Sequence, residues 1–158
     1  MFQIRVEFKK ERKPLKPKAN QVQYEDSLNH RKKRTKKVKR ALMKHSNRLM
    51  GTLELDSEEK RAETRHYLAT TVDFVNEMHF VCEHAYVLIG DRSLPRDTTN
   101  RIRQLINSIE INVWRVENLF ESGSGPTSIG DLRQCRDKAL RCVKLLRAIQ
   151  LDTTLTKL

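Results

Sequence analysis

The sequence predicts an all-α protein: an antiparallel four-helix bundle preceded by an extended basic N-terminal arm that includes one short β-strand. Three observations lead there. Four segments carry apolar residues at alternating steps of three and four, the period of a helix face packed on its neighbours. Gly51, Gly90-Asp91 and the run from Ser122 to Ser128 punctuate these segments. The first 48 residues hold 17 Lys and Arg against 4 Asp and Glu, whereas the remaining 110 hold 15 against 16. The net charge of +12 therefore lies in these first 48 residues, and the rest of the chain is close to neutral.

The arm occupies residues 1–26 and the bundle 27–158. Phe2, Ile4, Val6 and Phe8 alternate strictly with Gln3, Arg5 and Glu7, the period-2 pattern of a half-buried strand over residues 2–8. A lone strand leaves its backbone donors and acceptors unpaired. It is therefore expected to dock on a second copy of the chain or on a partner's sheet edge, with an irregular terminal strip as the alternative. Pro14 and Pro17 stand among Lys13, Lys16 and Lys18, which favours extended backbone over helix.

The first helix is expected over 27–50, capped by Asp26-Ser27 and stopped by Gly51. Val38, Leu42 and Leu49, with Thr35 and His45 between them, give its second half an apolar stripe, while residues 29–34 offer a core nothing. Asp56-Ser57-Glu58-Glu59 reads as a capping box opening a helix over 57–89, whose face is Leu68, Val72, Val75, Met78, Cys82, Ala85 and Ile89. Pro95 fits the first turn of a helix over 95–121, with Ile102, Leu105, Ile106, Ile109, Val113, Val116 and Phe120 inward and Trp114 off the stripe centre. Ser122 to Ser128 reads as a flexible loop. Asp131 with Gln134 caps a fourth helix over 131–150, with Leu132, Cys135, Ala139, Cys142, Leu146 and Ile149 inward.

A chain of 158 residues with 37% apolar content suits one core. Its longest apolar run, Ala85 to Ile89, is far below the roughly 20 residues needed to cross a bilayer, so no membrane insertion is expected. Three cysteines and no apolar signal segment argue against a secreted disulfide framework and for reduced thiols. The compartment expected is the cytoplasm or nucleoid of a prokaryote, or the nucleus or an organelle of a eukaryote.

Chemistry concentrates in the cations. Arg31, Lys32, Lys33, Arg34, Lys36, Lys37, Lys39 and Arg40 put eight positive charges into ten residues. Lys44 and Arg48 extend the run along the helix, and Lys13, Lys16 and Lys18 precede it. Such a density repels itself unless a polyanion lies alongside, and neutralised phosphates release counterions whatever the base sequence. A targeting signal, an anionic lipid anchor and a solvated face are the alternatives. Arg133, Arg136, Arg141, Lys144 and Arg147 suggest a second basic surface, although Asp137 between them also suits an ordinary polar face. Tyr24 is the only aromatic residue among the cations from Lys13 to Arg48, so backbone and shape contacts are favoured over base reading.

No enzyme is expected. Glu63 with His66, and His79 with Glu83, have helical ligand spacing, but a di-iron bundle needs Glu-x-x-His on two helices and helix four has no Glu. No metal or other cofactor is expected. The reading is an RNA-binding subunit of a ribonucleoprotein, RNA being favoured over DNA, with Phe2, Ile4, Val6 and Phe8 as a protein dock. A DNA-binding accessory protein and an assembly adaptor are the alternatives.

Overall fold

The computed structural model of the chain describes residues 36–90 and 92–157, with side chains as far as Asp152. Among these residues the secondary structure is all-helical, with four helices and no strand. They are α1 over 36–51, α2 over Glu58–Ile89, α3 over Arg96–Ser122 and α4 over Gly125–Lys157. The strand expected over 2–8, the rest of the arm and the start of the first helix lie outside the described residues. Two compact units divide the chain between Ala41 and Leu42.

In the first unit, residues 36–41 are helical, with Lys36, Lys37, Lys39 and Arg40 exposed and Val38 half-buried. The second unit opens with Leu42, Ser46 and Leu49 buried. Full burial of a leucine contributes about 1.5–3 kcal/mol, so Leu42 and Leu49 anchor this part of α1 to the core of that unit. Thr52 closes α1, its hydroxyl donating to the Leu49 carbonyl at 2.7 Å.

Ser57 caps α2, its hydroxyl accepting from the Lys60 amide at 3.1 Å, with Glu58 and Glu59 in the positive first turn. The expected capping box is half present. A box needs an acid three residues after the cap, and that place is held by Lys60, which pairs instead with Asp56 at 3.2 Å. Leu68, Val72, Val75, Met78, Cys82 and Ala85 are buried as the stripe predicts, Phe74 beside them is buried too, and Ile89 is half-buried.

Pro95 stands at the N-cap of α3 rather than in its first turn, and the Thr99 amide bonds to its carbonyl at 3.1 Å. All seven residues of the expected α3 stripe are buried. Two cross-helix pairs fix the sense of α2 and α3. His79 Nε2 lies 3.1 Å from Glu117 Oε1, and Tyr86 donates to Glu110 Oε1 at 2.8 Å. Rising numbers on α2 meet falling numbers on α3, so the two helices run antiparallel.

The largest departure is at α4, which begins at Gly125 and runs to Lys157 rather than spanning 131–150. The expected loop shrinks to Gly123 and Ser124. Gly125 takes φ +73°, a conformation glycine adopts without steric cost, and Pro126 follows where the helix needs no amide donor. The buried Ser128 hydroxyl accepts from the Ser124 amide at 2.9 Å and donates to the Ser124 carbonyl at 3.0 Å. Asp131 is thus an exposed residue in the second turn rather than a cap. The core register also shifts. Leu132, Cys135, Ala139, Val143 and Leu146 are buried, and Val143 takes the place expected for Cys142, which is half-buried.

Candidate nucleic-acid interface

Lys13, Lys16, Lys18, Arg31, Lys32, Lys33 and Arg34 lie outside the described residues, as do Phe2, Ile4, Val6 and Phe8. Lys36, Lys37, Lys39 and Arg40 are exposed on one helical turn, which suits cations that meet a solvated polyanion.

In the second unit Lys44 is exposed. Arg48 is already engaged. Its Nη2 donates to the Phe120 carbonyl at 3.0 Å and to the Gly123 carbonyl at 2.8 Å, two of the carbonyls that the C-terminus of α3 leaves without helical partners. Thr52 Oγ1 completes the junction by accepting from the Gly125 amide at 3.0 Å. Arg48 therefore sews the end of α1 to the α3–α4 turn.

The expected surface on α4 divides in the same way. Arg136 is half-buried, its Nη1 donating to Thr70 Oγ1 at 3.0 Å and Thr71 Oγ1 at 2.9 Å. Its guanidinium lies over the Tyr67 and Phe74 rings, at 5.1 and 5.4 Å from their centroids. Arg133 also lies over the Tyr67 ring, 5.1 Å from its centroid. Arg141, Lys144 and Arg147 are exposed. Arg136 thus joins α4 to α2, while the last three remain open to a ligand.

Between α3 and α4 lies a groove of about 340 Å³ lined by Arg115, Asn118, Leu119, Ser122, Asp131, Gln134, Cys135 and Lys138. Burial pushes the Cys135 thiol above its ordinary value, opposed by the charges of Arg115 and Lys138 and reinforced by Asp131. Neither cation shares a hydrogen bond or ion pair with another described residue. Sequence reading missed this pair because nothing in spacing relates residue 115 to residue 138. Only the packing of α3 on α4 brings them to one groove.

The ligand spacing at His79 and Glu83 resolves differently from an i, i+4 pair. His79 turns to Glu117 on α3, and Glu83 is buried. Glu63 and His66 are both exposed. Among the described residues no group of three His, Cys, Asp or Glu side chains converges. No helix among them is long and apolar enough to cross a membrane. No protein-family model matches the chain, and neither a curated protein nor a solved structure resembles it significantly.

Proposed function

We propose that this chain is a non-enzymatic nucleic-acid-binding protein, an RNA-binding structural or accessory subunit of a ribonucleoprotein. Its architecture in this reading is an antiparallel four-helix bundle with an extended basic arm. The observation that carries it is charge segregation: 17 cations against 4 acids in the first 48 residues, beside a body with 15 against 16. Arg31 to Arg40 contact the phosphate backbone, and the counterions released from neutralised phosphates supply affinity without sequence preference. Exposed Lys36, Lys37, Lys39, Arg40 and Lys44 are consistent with that role, and Arg141, Lys144 and Arg147 offer further contacts.

RNA is favoured over DNA as the partner, in the cytoplasm or nucleoid of a prokaryote or the nucleus or an organelle of a eukaryote. Residues 2–8 serve as a dock for a protein or a second copy. A structured RNA hairpin and a DNA duplex of equal length, titrated side by side at matched salt, test the choice. Tighter binding to the hairpin supports this reading. Tighter binding to the duplex makes the chain a DNA-binding accessory protein, and binding to neither leaves the adaptor reading.

A further inference from the structure

We infer that the α3–α4 groove, with Trp114 beside it, is a second contact for nucleic acid, one that takes a single unpaired nucleotide. Trp114 is 60% exposed, although tryptophan carries one of the largest apolar surfaces available for burial. It precedes Arg115, which lines the groove, and stands one helical turn before Asn118, which lines it too. Arg115 and Lys138 face the groove from opposite helices, and neither is engaged by another described residue. That distinguishes them from Arg48 and Arg136, each of which already has a guanidinium nitrogen bonded within the fold. Asp131 is the one acid in the lining, so the groove carries a single net positive charge, matching one phosphodiester.

The chemistry around this charge suits a nucleotide rather than a bare anion. Asn118 and Gln134 supply amide donors and acceptors, and the Ser122 hydroxyl, which donates to the Asn118 carbonyl at 2.9 Å, can still accept; these are groups that pair with sugar hydroxyls and base edges. A volume of about 340 Å³ lies at the lower end of ligand clefts, enough for a phosphate and its sugar. The base then has the exposed indole face to stack on, a contact every base can make. A paired base has both faces covered by its neighbours in the duplex. The site therefore selects a loop, bulge or end of an RNA, where bases can be splayed out.

This inference rests on the nucleic-acid reading, and one experiment separates the two. Trp114 is the only tryptophan in the chain, so its emission reports on this site alone. The full chain is titrated with a ten-nucleotide single-stranded oligouridylate and with a blunt RNA duplex, binding being followed by anisotropy and the site by tryptophan fluorescence. Both ligands are expected to bind, and the single strand alone to quench Trp114. Arg115→Ala with Lys138→Ala should weaken the quench at equal ligand, and Trp114→Ala should weaken single-strand binding about fivefold or more while sparing the duplex. Single-strand binding with unchanged Trp114 emission overturns the site and leaves the arm reading intact. A quench that persists in the double variant overturns the role of the groove, and no binding by either ligand overturns both.

Discussion

Arg48 and Cys135 show how a residue's surroundings decide between the roles its type allows. In the sequence Arg48 is the last cation of a basic run, and nothing marks it apart from Lys44. In the structure its guanidinium holds two carbonyls at the end of α3. Arg48→Ala should lower stability by about 1 to 2 kcal/mol, the low end for bonds from a charged donor because the side chain is exposed. A shifted urea midpoint at unchanged slope would show this, and RNA affinity should change less than on removing Lys36, Lys37 and Arg40. Cys135 is 8% exposed, and its thiol lies above the ordinary value of 9.0 chiefly because burial disfavours the thiolate. The unfolded chain then loses this proton first as pH rises. The stabilisation is complete below the unfolded value and is lost as pH climbs towards the folded one. Between pH 8 and 10 the wild type should lose more stability than Cys135→Ala, and iodoacetamide should label half-buried Cys142 before Cys135.

The same contrast holds for whole elements. The four helices were legible because their stripes repeat over many turns, and the seven inward residues of α3 are all buried. The start of α4 was not, because Gly, Ser and Pro serve loops and helix beginnings alike. Only the bonds between Ser128 and Ser124 and the positive φ of Gly125 tell them apart. The resulting turn has little room. A Cβ on Gly123 would stand 2.4 Å from the Leu119 carbonyl oxygen and 2.7 Å from Ser128 Oγ, and the first is backbone that cannot swing aside. Gly123→Ala should therefore cost about 1–3 kcal/mol, the range for forced overpacking. Gly130 lies within α4 with nothing inside 4 Å of an added Cβ. Gly130→Ala should stabilise by about 0.5–1 kcal/mol through backbone entropy. Thermal melts of the two variants should move in opposite directions.

For the molecule as a whole, the segregation of charge is a property of the chain and was legible in it, whereas the partition of cations between structural and open positions was not. Arg48 and Arg136 hold helices together, and Arg115 with Lys138 meet only through packing. The structure also constrains how the arm can be tested, since cutting the chain at residue 49 would remove buried Leu42 and Ser46 together with Arg48. The direct measurement keeps the full chain and neutralises Arg31, Lys32, Lys33, Arg34, Lys36, Lys37, Lys39 and Arg40 to Gln, comparing its affinity for a structured RNA with wild type across a salt series. Wild type should show a log–log salt slope corresponding to about 6 to 10 phosphates, and the neutralised chain should lose most of that slope and most of its affinity. Equal slopes in the two proteins, or weak binding insensitive to salt in wild type, would contradict the account.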